Sequence, residues 1–106
     1  MDRKVLENKF QNDIENGYYE SKKIKYNPTY FWRMVGDIGA YQAAKKLIHM
    51  TTPSEGFTTL WELKRLDLSV EAVVLKPEYA PLFSDKERQI CVERLLEYGY
   101  DIQNNA

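Results

Sequence analysis

One histidine and one cysteine are all that this chain of 106 residues offers of the side chains most used for acid–base, nucleophilic and zinc chemistry. Cys91 has no partner for an internal disulfide, and a lone thiol fits a reducing compartment. One His and one Cys do not build a standard zinc site. No apolar run approaches the roughly 18 residues that span a bilayer, and residues 1–9 are charged where a secretory signal would be apolar. The expectation is a soluble, cytoplasmic chain with no membrane partner. Charge of one sign is not in excess either: the formal net charge is −1, so no global field draws in nucleic acid or a lipid surface. A Gly-rich phosphate loop is also missing, because Gly36 and Gly39 have neither the flanking strand nor the spacing such a loop needs.

What remains is an ordinary globular composition, 43% hydrophobic and 29% charged, in a length that suits one domain and can bury a core without staples. Aromatics are plentiful, with eight Tyr, four Phe and two Trp, and each brings much burial area to a small core. There is no internal repeat, low-complexity tract or linker.

The apolar spacing is helical almost throughout. Leu6, Phe10, Ile14 and Tyr18 recur every fourth residue and predict a first helix over 4–24, widened by Val5 and Ile24. Gly17 inside it either bends the helix or admits a neighbouring backbone. Asn27-Pro28 reads as a helix start, with a helix carrying Tyr30, Phe31, Met34 and Val35 and ending near Gly36. Asp37 then caps a helix over 38–49 whose inner face is Ile38, Tyr41, Ala44, Leu47 and Ile48, with alanines at 40, 43 and 44 permitting close packing. Residues 51–56 are turn chemistry. A helix over 58–66 follows, anchored by Leu60, Trp61 and Leu63, and Ser69 caps another over 70–76 with Val70, Val73 and Val74 inside. Those valines also suit a strand, but no other segment offers a pairing partner. Pro77 and Pro81 make a turn or short helical piece carrying Tyr79, Leu82 and Phe83. Ser84 and Glu87 spell a capping box for the last helix, whose inner face is Ile90, Cys91, Leu95 and Tyr98, with Gly99 as its C-terminal cap.

Catalysis is poorly supplied. His49 at a helix end reads as a cation favoured by the helix dipole, and Cys91 as a small buried hydrophobe. Glu71, Glu78, Asp85 and Glu87 lack Ca²⁺-loop spacing and read as a solvated acidic face. Neither an enzyme activity, a cofactor nor a metal is expected.

The charge is nevertheless divided along the chain. Residues 22–65 hold Lys22, Lys23, Lys25, Arg33, Lys45, Lys46, Lys64 and Arg65 against three acids, a local +5, while residues 66–106 carry −4 and residues 1–21 carry −2. Basic groups beside Tyr26, Tyr30 and Trp32 can grip phosphates and stack bases. The same cations can instead solvate separate helices, or meet the acidic end of a second copy. A helix-turn-helix over 43–65 is a weak match, because the connection between its helices is long. Trp32 and Trp61 suit either the core or a binding hot spot.

The string GFTTLWELKRLDLSVEAVVL at 56–75, with Pro77-Glu78-Tyr79 and ERLLEYGY at 93–100, resembles a small bacterial helical domain of unknown function, and residues 26–48 extend the likeness. The resemblance implies a bacterial, cytosolic, compact domain and brings no activity or catalytic residue. The expectation from the whole chain is an all-α single domain over 1–100, of five to six short helices in which the first and last clamp the middle ones, with a polar tail over 101–106. Its expected role is a non-catalytic module that binds a protein partner or itself. The alternative is a nucleic-acid-binding accessory domain that uses the eight cations and Trp32.

Overall fold

The computed structural model describes residues 2–102, so residues 103–106 of the expected tail lie outside the described residues. Within them, Ile102 does not behave as tail, because its side chain packs partly buried against the core. Five α-helices, α1 (Arg3–Lys23), α2 (Thr29–Ile48), α3 (Glu55–Glu62), α4 (Val70–Val74) and α5 (Asp85–Glu97), alternate with two 3₁₀ helices, Leu66–Leu68 and Pro77–Leu82. There is no strand among the described residues, so the fold is all-α as expected. The Cα radius of gyration of 12.7 Å matches the roughly 13 Å of a packed chain of this size. Short α4 sits in the middle and packs on α1, α2 and α5.

Leu6, Phe10 and Ile14 of α1 form the stripe the spacing predicts, and all three are buried. They pack with Val35, Ala43, Ala44 and Ile48 of α2, Val73 and Val74 of α4, Tyr79, Leu82 and Phe83 of the second 3₁₀ helix and its cap, and Cys91 of α5. Phe10 is the centre of this cluster, edge-on to Tyr79 at 5.1 Å and 5.4 Å from Phe83. A second cluster of Phe57, Leu60, Leu66 and Leu95 gathers Ile24, Tyr26, Tyr98 and Tyr100 around it. Val5, Ile38, Trp61 and Leu63, all expected inside, are exposed. On α3, Ser54 accepts from the Phe57 N–H, so the helix starts three residues earlier than expected, and it ends earlier too, at Glu62. The earlier start adds Phe57 beside Leu60 as the buried pair, while Trp61 on the helix and Leu63 just past its end are exposed.

The ends of α1, α3 and α5 share one geometry. In each, the third residue past the helix returns its N–H to a carbonyl five residues back: Tyr26 to Ser21 at 3.0 Å, Arg65 to Leu60 at 2.8 Å and Tyr100 to Leu95 at 2.9 Å. This Schellman closure needs a left-handed residue in between. Gly99 supplies it as expected, but Lys25 (φ 64°) and Lys64 (φ 61°) fill the same place on α1 and α3. All three closures turn the chain into the second cluster.

The break in α2 lies at Gly39 rather than Gly36. Gly39 has φ 84° and ψ 159°, a conformation essentially confined to glycine. The helix restarts at Ala40, whose N–H donates to the side-chain oxygen of Gln11 on α1 at 2.8 Å. Gln11 thereby does across space what a local N-cap does along the chain. The side chain of Gln11 is in turn held by Glu15 at 3.1 Å. The two glycines therefore respond oppositely to one change. Gly36→Ala adds a methyl that meets nothing within 4 Å, and it should raise stability by about 0.5–1 kcal/mol. Gly39→Ala should lower it by about 1–3 kcal/mol. Thermal unfolding of both variants checks this, and matching shifts would contradict the break at Gly39.

Candidate functional site

The ionisable groups in the interior hold the fold together. Arg94, buried on α5, donates to the carbonyls of Leu47 (3.1 Å), Ile48 (3.3 Å) and Met50 (2.6 Å) and to Oε2 of Glu71 (3.3 Å). It caps α2 and pairs with α4 at once. Burial pushes the Glu71 carboxyl up, against its own backbone N–H and Arg94, which pull it down. Glu87 completes the expected capping box with Ser84 and also takes Lys45 at 2.9 Å and His49 at 2.8 Å. Burial alone would raise its pKa, but the Ser84 N–H, Lys45 and His49 outweigh it and hold the carboxyl at about 2. Asp13 accepts from the hydroxyl of Tyr79 and lies 3.4 Å from Lys76.

The acidic group expected to be a solvated face is thus split. Glu78 and Asp85 are exposed, whereas Glu71 and Glu87 are 2% and 4% exposed because Arg94, Lys45 and backbone N–H groups meet their charge. Cys91 is fully buried, with its thiol pushed up to about 12 by burial. At that value it has almost no thiolate at neutral pH. No group of three His, Cys, Asp or Glu is placed to hold a metal among the described residues. No helix there is long and apolar enough to cross a membrane.

Seven of the eight cations of the basic middle, all but Arg33, follow the helix ends. Lys22 and Lys23 occupy the last turn of α1, Lys45 and Lys46 the last turn of α2, and Lys64 and Arg65 close α3. A cation there is favoured by the helix dipole and by the exposed carbonyls. Lys23 pairs with Glu20 at 3.0 Å and Arg65 with Asp67 at 3.1 Å. Lys22, Lys23 and Lys25 flank Ile24 and Tyr26 in sequence, and Lys64 and Arg65 precede Leu66, three side chains that pack in or against the second cluster. Lys45 faces α5 instead, bound to Glu87, and Lys46 adjoins it along α2. Arg33 is exposed on α2 beside Trp32.

Trp32 is half-buried and stacks on Tyr18 of α1, ring centroids 4.1 Å apart and 9° from parallel, with Lys22 at 5.5 Å from the Tyr18 ring. Trp61 is 46% exposed and Leu63 42%, with Trp61 edge-on to Tyr98 at 5.3 Å. The interior Glu71, Glu87 and Arg94 are the residues sequence reasoning missed, and only the capping-box position of Glu87 signalled one of them.

A comparison of the chain with protein-family models finds no match, and neither do comparisons with curated proteins and with solved structures. What the chain does is therefore argued from its own geometry.

Glu87 dictates a pH dependence. Its folded pKa lies below the ordinary value of 4.5, so its contribution is complete above that value and lost as pH falls toward 2, on the order of 3 kcal/mol. Glu71 is shifted the other way and works with the opposite sign. The difference between the parent and Glu87→Gln isolates Glu87. In urea unfolding the stability gap between the two should be widest near neutral pH and narrow from pH 5 to pH 2. A gap that stays constant across that range would contradict the assignment.

Proposed function

We propose that this chain is a non-catalytic interaction module of the cytoplasm that recognises protein, first of all a second copy of itself, through the face carrying Trp61 and Leu63. The observation that carries the reading is the exposure of these two large side chains, Trp61 on an eight-residue helix whose Phe57 and Leu60 are buried and Leu63 at its C-cap. Trp is the residue most enriched at binding hot spots, and half-buried Tyr98 beside it extends the apolar area. The interior carboxylates, the thiol and Arg94 are committed to packing and capping, which supports a role without chemistry. Opposed charge in the middle and C-terminal parts of the chain gives two copies a complementary approach.

A second reading, nucleic-acid binding, is favoured by Lys22, Lys23, Lys25, Lys64 and Arg65 flanking residues of one cluster, with Trp32 stacked on Tyr18 beside Lys22. Lys45 is a poor probe of it, because reversing its charge would set a second acid against buried Glu87.

One set of sedimentation experiments separates the two readings. The parent chain should show a concentration-dependent dimer, and the double variant Trp61→Ser with Leu63→Ser should weaken it by about tenfold or more. A parent that stays monomeric, or a dimer indifferent to both substitutions, contradicts self-recognition through this face. Salt-sensitive comigration of the monomer with mixed-sequence DNA or RNA selects the second reading.

A further inference from the structure

On a face separate from Trp61, a groove of about 510 Å³ runs between residues 26–31 and residues 50–59. Its size is that of a small-molecule site. Behind it lies a cavity of about 60 Å³ among α1, α2, α3 and α4. The two share Tyr26, Pro28, Phe31, Leu47, Ser54 and Gly56 as a common wall. A Cβ at Gly56 would lie 2.5 Å from the Tyr26 hydroxyl, so any larger residue there would displace the Tyr26 side chain. The cavity is well below the roughly 150 Å³ that takes a benzene ring. It is room for the wall to shift rather than a second site.

The lining is one-sided in charge. Glu55 lines the groove, Asp13 and Glu71 line the cavity, and no Lys, Arg or His lines either. Asp13 and Glu71 are met by Tyr79 with Lys76 and by Arg94. Glu55 has no ion pair among the described residues, and its full charge more than offsets the partial positive charge of the α3 N-terminus. Tyr26, which feels the Glu55 charge, lines the same groove with Tyr30, Phe31 and Met50, and Tyr30 is 80% exposed. The Tyr26 hydroxyl has no hydrogen-bond partner among the described residues, and burial and Glu55 both push its pKa up, so it stays a neutral phenol that can accept as well as donate. Aromatic faces beside an unpaired carboxylate are the chemistry that binds organic cations.

We infer that the groove between residues 26–31 and 50–59 binds a small alkylammonium ion, with its charge held between Glu55 and the rings of Tyr26 and Tyr30 and its carbons against Phe31, Leu47 and Met50. An anion is disfavoured by Glu55, and an inorganic cation gains nothing from the apolar wall.

The test is a titration of the whole chain with n-butylammonium and tetramethylammonium, with n-butanol and sodium as controls, followed by the amide shift of Gly56. Both ammonium ions should give saturable shifts at Gly56, and the two controls should be weaker. Glu55→Gln and Tyr30→Ala, both at exposed positions, should each weaken the ammonium ions by about threefold to tenfold. Equal binding of n-butanol would mean that the groove reads only apolar surface and would overturn the proposal. So would shifts that do not saturate, or affinities unchanged by both substitutions. Association through Trp61 is read separately by sedimentation, so neither result decides the other.

Discussion

The guanidinium of Arg94 is the constraint on which the arrangement of helices depends. A buried Arg must place its N–H donors, and a helix end must place its last carbonyls. Here each solves the other's problem: α5 sends Arg94 to the end of α2, where Leu47, Ile48 and Met50 present their oxygens, and Glu71 of α4 supplies the counter-charge. Helix α4 has five residues, far too few to be stable alone. It exists because its valines pack on Phe10 and its neighbours and because Glu71 is tied to Arg94. A Lys could not do this, since a single ammonium lacks the planar fork that reaches several acceptors at once.

A second joint repeats the logic nearby. Glu87 belongs to the capping box of α5 and at the same time draws Lys45 and His49 from the last residues of α2. The C-terminal end of α2 is thus held to α5 through two networks, one centred on the Arg94 guanidinium and the other on the Glu87 carboxylate. Lys22, Lys23, Lys64 and Arg65 sit at the ends of α1 and α3 for a related reason, as cations beside exposed carbonyls. Most of the cations in the basic middle are thereby accounted for by where helices end. Two exposed places are aromatic rather than basic: the one around Trp61, and the groove beside Tyr30 with Glu55 in its lining.

The helices were legible where local chemistry sets them. The apolar stripe of α1, the capping box of Ser84 and Glu87, the Ser69 cap and the Gly99 turn all act within a few residues, and each stands as the sequence implies. Features set across space were not legible. Gly36 and Gly39 look alike in sequence, and only the Gln11 side chain arriving from α1 makes the second the break. Lys25 and Lys64 carry no glycine signal, yet both adopt the left-handed turn because Tyr26 and Leu66 must enter the second cluster. Glu71 and Arg94 are 23 residues apart, and nothing in their spacing marks them as a buried pair. The candidate binding faces depended on the same blind spot, since it is packing across space that buries Phe57 and Leu60 and leaves Trp61 exposed.

The most direct measurement is denaturant unfolding of Arg94→Met, which keeps the bulk of the side chain and removes every donor. Leaving Glu71 buried without its partner and α2 without its cap should cost about 3–5 kcal/mol, with Arg94→Lys recovering only a small part of the loss. A methionine variant within about 1 kcal/mol of the parent would contradict the placement of Arg94 at the centre of the fold, because a satisfied buried charge cannot be removed at so small a cost when its partner remains.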